Sequence, residues 1–380
     1  MPSFYEFFAG GGMARAGLGK HWDCLFANDF DTKKGASYRA NWGGNELVVD
    51  DVKAILPNQL PGNPDLVWGS FPCQDLSLAG GGAGLRGERS GTFWPFISLI
   101  KSLVNQNRAP SIIALENVVG TLTSHSGKDF IAICEALDEL GYLFGALVID
   151  AQFFVPQSRP RLFFIAVEKS NGLPPIASLF PNSKWHTKAL QKAYSSLPKR
   201  LRKNWVWWDL PTPAKRKKVF SDIIEDEPSS VRWHTPDQTT ELLNMMSSVN
   251  LKKVEAAKLS GKRMVGGVYK RTRYQNGVKV QRAEVRFDDI AGCLRTPAGG
   301  SSRQLILIVE GEKIKSRLIS SRETARLMGL PERYKLPDGY NEAYHLTGDG
   351  VAVPVVRYLS KHLLENLLNK SEKLDQAIAA

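Results

Sequence analysis

Residues 4–12 read FYEFFAGGG, and this stretch decides the fold class that the sequence predicts. Residues 4–8 form a short apolar run, and a glycine-rich turn leads from it into a helical stretch that ends near Leu18. A strand that passes through glycines into a helix is the setting for a nucleotide-type cofactor at the carboxyl end of a sheet. A dinucleotide fingerprint would have a third glycine where Arg15 stands, so NAD and FAD are disfavoured. The alternative is a tight turn with no ligand.

The same pattern continues through the first half of the chain. Short apolar runs, typical of buried parallel strands, cover residues 23–28, 65–68, 111–115 and 162–167. Apolar residues at helical spacing cover residues 33–41, 93–104 and 130–140. Strands that alternate with helices predict an α/β fold with a doubly wound, mostly parallel sheet.

The pattern changes after residue 170. A stretch rich in Pro, Lys and Trp has no clear periodicity, and residues 265–286 suggest an irregular β region. Regular spacing returns with a helix over residues 320–330, which Ser320 caps with Glu323 three residues on, and with a final helix over residues 355–368. We therefore predict a cofactor-binding domain of residues 1–180 plus 345–380. Residues 181–344, including the helix over 320–330, form a smaller, irregular β-rich domain.

The distribution of charge points to a polyanion as partner. The chain has 380 residues and a formal net charge of +12. Residues 1–169 hold 14 Lys and Arg against 17 Asp and Glu, whereas residues 170–316 hold 27 against 13. A basic region beside a neutral one is typical of a nucleic-acid-binding module, and a solvated surface without a ligand is the alternative.

Other features of the composition narrow the class of protein. Four widely spread cysteines include no C-x-x-C pair, which argues against a disulfide framework or a zinc site, so no metal is expected. The first residues do not resemble a signal peptide, and no apolar run approaches the roughly 20 residues of a membrane span. We therefore expect a soluble, intracellular protein.

Three segments carry candidate chemistry at the ends of predicted strands. Asp29 follows the glycine turn by about 20 residues, where an acid holds ribose hydroxyls. Cys73 lies in a Pro-led loop after residues 65–68, where an accessible thiolate is a nucleophile; a structural cysteine is the alternative. Glu116 ends the next apolar run, where a partly buried acid can hydrogen-bond or protonate a substrate nitrogen; an ordinary strand end is the alternative.

A fourth segment, Gln157-Ser158-Arg159-Pro160-Arg161, leads into the strand predicted over residues 162–167. Residues two apart in an extended chain point the same way. Arg159 and Arg161 are thus predicted to share one carboxylate or one base carbonyl, and a surface pair is the alternative.

Taken in order, these segments resemble the DNA (cytosine-5)-methyltransferase family, of the prokaryotic or phage type found in restriction–modification systems. The segments that carry the resemblance are Phe8-Ala9-Gly10-x-Gly12, Pro72-Cys73-Gln74, Glu116-Asn117-Val118, Gln157 to Arg161, and Arg322-Glu323 followed by Arg326, Leu327, Gly329 and Pro331. The family's variable target-recognition region falls between the last two of these segments, where the basic region of this chain lies.

The resemblance implies a base-flipping reaction on duplex DNA with S-adenosylmethionine as cofactor and a fold of the methyltransferase type. Cys73 adds to C6 of the flipped cytosine, and Glu116 holds N3 and the exocyclic amine. Arg161, aided by Arg159, holds O2. The C5 atom then takes the methyl group, and loss of the C5 proton and of Cys73 restores the ring.

The resemblance also implies a set of cofactor residues. Phe8 lies against adenine, Asp29 holds the ribose and Asp51 takes the adenine amine. The other residues implied are Ala9, Gly10, Gly12, Phe30, Val52, Pro72, Phe93, Asp349, Gly350 and Val351. The chain reads Gly348-Asp349-Gly350-Val351 where the family has Gly-Asn-Ala/Ser-Val, and Met13 stands where many members have glycine.

The predicted DNA-binding residues come from the loop around Cys73 and from the basic region. They are Gln74, Ser77, Gln157, Arg295, Arg303 and Gln304. Arg303 and Gln304 suit bidentate contacts to guanine and adenine, and a turn before a strand over residues 305–309 is the alternative. We expect a cytoplasmic, nucleoid-associated monomer, with a separate restriction endonuclease of the same site as candidate partner.

Two other functions compete with this one. One branch of the family methylates transfer RNA, although its recognition region is shorter than the basic insert of this chain. A catalytically silent DNA-binding repressor is the other, and the intact set of Cys73, Glu116 and Arg161 disfavours it.

Overall fold

The computed structural model describes residues 1–72, 90–172, 174–275, 277–296 and 303–368. Its strands are β1 (Ser3–Phe7), β2 (Asp23–Asp29), β3 (Leu47–Val49), β4 (Leu66–Gly69), β5 (Ile112–Val118), β6 (Tyr142–Asp150), β7 (Pro160–Glu168), β8 (Ala177–Ser178), β9 (Trp207–Trp208), β10 (Met264–Gln275), β11 (Val278–Arg286), β12 (Leu305–Glu310) and β13 (Lys313–Leu318). Its α-helices are α1 (Met13–Leu18), α2 (Thr32–Trp42), α3 (Phe93–Asn105), α4 (Lys128–Glu139), α5 (Lys188–Ser195), α6 (Lys199–Lys203), α7 (Pro236–Asn244), α8 (Ser248–Leu259), α9 (Ser321–Leu327), α10 (Tyr340–Asp349) and α11 (Val353–Leu359).

The chain divides into two compact units. Unit 1 contains residues 1–150, 160–212 and 353–380, and unit 2 contains residues 151–159 and 213–352. The predicted domain bounds were 180 and 345, so the structure moves residues 181–212 into unit 1 and residues 345–352 into unit 2. It also assigns the short segment 151–159 to unit 2.

Unit 1 is built on a seven-stranded sheet in the order β3-β2-β1-β4-β5-β7-β6. All neighbouring strands run parallel except β7, which is antiparallel to both β5 and β6. This confirms the predicted doubly wound, mostly parallel sheet. Because β1, β2, β4 and β5 are parallel, the residues that follow them lie at one edge of the sheet. Large side chains such as Phe96, Ile100 and Phe164 are fully buried in its core.

Residues 181–212, which are rich in Lys and Trp, belong to unit 1 because they cover the edge of the sheet at β6. The amide N–H of Phe144 donates to the carbonyl of Asn204 at 3.0 Å, and that of Val206 donates to the carbonyl of Phe144 at 2.7 Å. The N–H of Val148 donates in turn to the carbonyl of Trp185 at 2.8 Å. A bare edge strand would expose such groups to pairing with another chain. These bonds depend on residues some 40–60 positions away, so local periodicity does not reveal them.

Unit 2 contains an antiparallel sheet in the order β11-β10-β12-β13. Residues 265–286, predicted as irregular β structure, form the regular hairpin of β10 and β11. Leu242 of α7 and Val254 of α8 pack with Leu307 of β12 in the core of this unit. Helix α9 begins with the predicted capping box. The Ser320 hydroxyl accepts from the Glu323 N–H at 3.1 Å, and the Glu323 carboxylate accepts from the Ser320 N–H at 2.7 Å.

Candidate active site

The glycine turn after β1 has a strained backbone. Phe8 has φ +58°, a left-handed value that costs a residue with a Cβ about 1–2 kcal/mol. Gly10 and Gly12 follow with φ +55° and +74°. A Cβ on Gly12 would lie 2.3 Å from Nε1 of Trp42, whereas a Cβ on Gly10 would meet nothing within 4 Å. The turn therefore requires glycine at position 12 for packing and leaves open space beside position 10.

Asp29, the last residue of β2, fixes the glycine turn to the neighbouring strand end. Its carboxylate accepts from the N–H of Gly10 at 2.8 Å and from the N–H of Asp31 at 2.9 Å. Burial raises the pKa of this carboxyl, although Lys34 and the two N–H donors oppose the rise. Each oxygen keeps a further lone pair, so the carboxylate can also accept from ligand hydroxyls.

The remaining predicted cofactor residues of unit 1 surround the same strand ends. Phe30 exposes 68% of its surface, which is unusual for a large apolar side chain and suits a wall for a flat ring. Asp51 is exposed, while Val52 and Phe93 are buried. The open turn, the acid and the exposed aromatic ring fit a nucleoside-containing cofactor.

Glu6 is a residue that the sequence analysis did not single out. It is 2% exposed on β1, and one carboxylate oxygen accepts from the N–H groups of Ala14 and Arg15 at 3.1 and 3.4 Å. No side chain of Gly12 can cap α1, so Glu6 supplies the cap from the preceding strand. Burial raises the pKa of Glu6 to about 8. An acid inside an otherwise apolar strand was the sequence signal for this residue.

The loop after β4 is attached to β5 through Asn117. The side-chain amide of Asn117 donates to the carbonyl of Phe71 at 3.2 Å, and the ring of Phe71 packs 4.9 Å from that of Phe93. Phe71 and Pro72 are thereby held at the carboxyl end of the sheet. Cys73, and with it Gln74 and Ser77, lie outside the described residues.

Glu116 and Arg161 form an ion pair at the same edge of the sheet. Glu116 on β5 lies opposite Phe163, and Val118 lies opposite Arg161 on β7, so the two side chains are diagonal neighbours on one face. The Nε atom of Arg161 lies 3.0 Å from Oε1 of Glu116. Glu116 is 7% exposed. The predicted meeting of an arginine with a carboxylate is present for Arg161.

Arg159 binds backbone carbonyls instead, and the base carbonyl that the pair was predicted to share stays a prediction. Arg159 belongs to unit 2 and is 2% exposed. Its guanidinium donates to the carbonyls of Gly348 and Gly350 at 2.8 and 2.7 Å and to that of Leu294 at 3.2 Å. The chain is not uniformly extended here, because β7 begins only at Pro160. These contacts hold the backbone of unit 2.

Two predicted DNA-binding glutamines are likewise buried in unit 2. Gln157 is fully buried; its amide donates to the carbonyl of Leu327 at 2.8 Å and accepts from the N–H of Leu294 at 3.3 Å. Gln304 is also fully buried and accepts from the hydroxyl of Tyr269. Both side chains pack within unit 2, and the DNA-binding role predicted for them stays a prediction.

The other predicted residues of unit 2 differ in their exposure. Arg295 is exposed, and Arg303 is partly exposed beside Tyr340, whose ring centroid lies 5.7 Å from its guanidinium. Asp349 is exposed at the end of α10 and accepts from the hydroxyl of Thr296. Gly350 is partly buried and Val351 is buried.

The comparisons with known proteins agree with this fold. The model of the C-5 cytosine-specific DNA methylase family matches residues 3–365, and the chain belongs to that family. It is therefore a DNA (cytosine-5)-methyltransferase, as the resemblance indicated.

The relatives are bacterial enzymes of restriction–modification type. The chain is 24% identical to the type II methyltransferase M.HpaII of Haemophilus parainfluenzae, over 97% of this chain and 90% of that protein. It is 27% identical to M.BsuFI of Bacillus subtilis, over 96% of this chain and 73% of that protein. In fold it is similar to the Dnmt2 methyltransferase of S. pombe, with a TM-score of 0.58 at 18% identity over 97% of this chain and 100% of that one.

No described helix is both long and apolar enough to span a membrane. Among the same residues, no group of three or more His, Cys, Asp or Glu side chains could hold a metal ion.

Proposed function

We propose that this chain methylates C5 of a cytosine within a specific sequence of duplex DNA, on a base flipped out of the helix. The observation that carries the proposal is the ion pair of Glu116 and Arg161, 3.0 Å apart at the carboxyl end of β5 and the amino end of the antiparallel strand β7. It lies in the same unit as the loop that leads to Cys73. An acid and a permanent cation on one face match the nitrogen and the carbonyl on the Watson–Crick edge of cytosine.

In the proposed reaction the Cys73 thiolate forms a bond to C6 of the cytosine. As the electron pair of the C5–C6 double bond shifts to form a C4–C5 double bond, N3 takes a proton from Glu116, which also binds the exocyclic amine, and Arg161 binds O2. The C4–C5 electron pair then forms the bond to the methyl group, and the electron pair of the broken S–CH3 bond would stay on the cofactor's sulfur as a thioether. Loss of the C5 proton to a base expels the Cys73 thiolate and restores the C5–C6 double bond, and N3 returns its proton to Glu116. A nucleophile, an acid and a fixed cation each supply a different part of the barrier reduction.

The cofactor that fits the glycine turn is S-adenosylmethionine, which supplies a methyl group on a sulfonium centre. Asp29 would accept from the ribose hydroxyls and Asp51 from the adenine amine. Phe8 and Phe30 would line the adenine. The remaining proposed residues are Ala9, Gly10, Gly12, Val52, Pro72, Phe93 and, on the strength of the resemblance alone, Asp349, Gly350 and Val351.

The DNA-binding residues that we propose are those that the resemblance and the sequence indicate, including Gln157 and Gln304. Arg295 and Arg303 would bind DNA from unit 2, and Gln74 and Ser77 from the loop around Cys73. Arg159 is proposed to act on the reaction only indirectly, through the backbone that it holds.

The cellular setting that we propose follows the relatives. The chain would act as a monomer on DNA in the prokaryotic cytoplasm, at the nucleoid. A separate restriction endonuclease would cut the same sequence when it is unmethylated.

The test is methyl transfer from labelled cofactor to duplex DNA and to transfer RNA by the purified chain. Bisulfite sequencing of the DNA then gives the base and its sequence context. We expect label at C5 of cytosine in one short sequence of the duplex. Label only in transfer RNA, or none in either, would contradict the proposal.

A further inference from the structure

Residues 179–203, which we call the α5–α6 segment, form a basic surface on unit 1. The segment contains seven Lys and Arg and no Asp or Glu. Leu190 of α5 and Leu201 of α6 are fully buried in the core of the unit. The two helices are therefore attached to the unit by their apolar sides, and their opposite sides face solvent.

Four lysines occupy the outer sides of these helices. Lys188 and Lys192 lie about one turn apart on α5, and Lys199 and Lys203 lie about one turn apart on α6. All four are exposed. Within the part of the chain that the structure describes, none of these four side chains forms a hydrogen bond or an ion pair. Arg200 of the same segment, by contrast, forms ion pairs with acids of α4. The outer sides of α5 and α6 thus carry four positive charges that the unit does not neutralise.

Two large apolar side chains lie close to these lysines. Leu179 and Phe180 expose 83% and 75% of their surface. The Ser178 hydroxyl accepts from the N–H of Phe180 at 3.2 Å and donates to its carbonyl at 2.9 Å. Ser178 pairs with Trp207, whose ring centroid lies 4.8 Å from that of Tyr194 on α5. The apolar pair is therefore held near α5 by hydrogen bonds, with its side chains left in solvent.

We propose that the α5–α6 segment is a docking surface for an acidic partner protein. Carboxylates of the partner would pair with the four lysines, since complementary charge favours association between proteins. An apolar pocket of the partner would bury Leu179 and Phe180, because protein interfaces combine a buried apolar centre with a polar rim. The proposal goes beyond the proposed function, since methyl transfer uses none of these residues.

Two other anionic partners fit this surface less well. An anionic membrane binds amphipathic helices through their apolar sides, and the apolar sides of α5 and α6 are already buried at Leu190 and Leu201. Duplex DNA would bind the lysines through its phosphates, but its outer surface has no apolar pocket for Leu179 and Phe180. The combination of unpaired lysines with exposed apolar side chains therefore favours a protein.

The test measures the affinity of the full chain for two acidic polymers, polyglutamate and a random copolymer of glutamate and tyrosine. Duplex DNA and phosphatidylglycerol vesicles are measured in parallel, and sedimentation velocity reports self-association. The lysine variant combines Lys188→Gln, Lys192→Gln, Lys199→Gln and Lys203→Gln. The apolar variant combines Leu179→Ser and Phe180→Ser. The control variant removes the same charge from exposed positions elsewhere, through Lys20→Gln, Lys252→Gln, Lys262→Gln and Lys313→Gln. Melting temperature and cofactor binding check that each variant is folded.

Wild type should bind the copolymer more tightly than polyglutamate, because the tyrosine rings supply apolar contacts for Leu179 and Phe180. The lysine variant should bind both polymers about 10-fold more weakly or worse, whereas the control variant should bind them like wild type. The apolar variant should lose the preference for the copolymer. All three variants should methylate duplex DNA at close to the wild-type rate.

Equal affinities of the lysine and control variants for the polymers would overturn the proposal. So would a copolymer preference that survives in the apolar variant. A loss in the lysine variant that is larger for duplex DNA or for vesicles than for the polymers would assign the surface to that partner instead. Self-association of wild type that the lysine variant abolishes would assign it to a second copy of the chain, and either result contradicts an acidic partner protein.

Discussion

Arg159 and Arg161 are two residues apart in sequence, yet they hold different parts of the molecule. Arg161 pairs with Glu116 in unit 1, and Arg159 binds three backbone carbonyls in unit 2. The chain passes from one unit to the other between these two residues. A motif that resembles a single site in sequence thus combines one candidate catalytic residue with one structural residue.

This division predicts that Arg159→Met and Arg161→Met fail in different ways. Arg159→Met removes the donors of three carbonyls, two of them to Gly348 and Gly350, and should lower the free energy of unfolding by about 2–4 kcal/mol. Arg161→Met should reduce methyl transfer far more than it reduces stability. Urea unfolding measures the stability of both variants, and single-turnover rates measure their methyl transfer. If Arg159→Met keeps wild-type stability, the structural role given to Arg159 is wrong.

Glu116 can be tested without altering its shape. Gln at this position keeps one hydrogen bond to the base but cannot carry the acid's proton. General acid–base groups contribute about 100- to 10,000-fold, so Glu116→Gln should slow single-turnover methyl transfer to that extent. Cofactor affinity should stay close to wild type. Glu139→Gln, an exposed position at the end of α4, is the matched control. Rates within a few fold of wild type would exclude the role.

At the scale of elements, the sequence predicted best where a short pattern determines the structure. The runs at residues 23–28 and 65–68 are β2 and β4, the spacing over residues 93–104 is α3, and the Ser320 cap begins α9. Periodicity failed where tertiary contacts decide. Residues 181–212 were predicted without regular structure, yet they form α5 and α6 and cover the edge of β6, and the two-residue strand β9 forms only through pairing with β8.

The same limit applies to the candidate site. The acid and the glycine turn could be predicted because each follows a strand, and parallel strands end at one edge. The arginine begins the antiparallel strand β7 beside the end of β5. The contacts of Gln157, Gln304 and Arg159 could not be predicted, since their partners lie on distant segments of unit 2. Asn117 and Glu6 were missed for a related reason. Their function is to hold another element, and neither has a spacing that indicates its partner.

Glu6 gives the first helix a measurable dependence on pH. Its pKa is about 8 in the folded chain against an ordinary value of 4.5, so between these values the folded state binds the proton that the unfolded state releases. Its contribution to stability is therefore fully present below the ordinary value and is lost as pH rises through about 8. The substitution Glu6→Gln removes this pH-dependent contribution to stability.

Wild type and Glu6→Gln should differ in how steeply the free energy of unfolding changes with pH. Between about pH 5 and 9 the free energy of unfolding of wild type should fall by ~2–4 kcal/mol relative to that of Glu6→Gln. Urea unfolding at both pH values is the measurement, and subtraction removes the contribution of other titrating groups. Parallel pH profiles of the two proteins would contradict the role given to the buried carboxyl.

At the scale of the whole molecule, charge and chemistry are divided between the units. Unit 2 holds 26 Lys and Arg against 17 Asp and Glu, a net charge of +9, whereas unit 1 holds 24 against 21, a net charge of +3. Some basic residues between positions 170 and 212 belong to unit 1 instead. Arg200, for example, forms ion pairs with Glu135 and Asp138 of α4. An excess of positive charge in the unit without the candidate catalytic residues is what a separate DNA-binding part requires.

The central claim is that Cys73 attacks the cytosine before the methyl group is transferred. Duplex DNA with 5-fluorocytosine at the target position tests it most directly, because fluorine cannot leave C5 as a cation and the final elimination stalls. Wild type should form a covalent adduct of protein, DNA and methyl group that survives denaturing electrophoresis. Cys24→Ala, which removes another free thiol of unit 1, should form the same adduct. Cys73→Ala should form none while still binding the duplex, and an adduct that persists in Cys73→Ala would contradict the account.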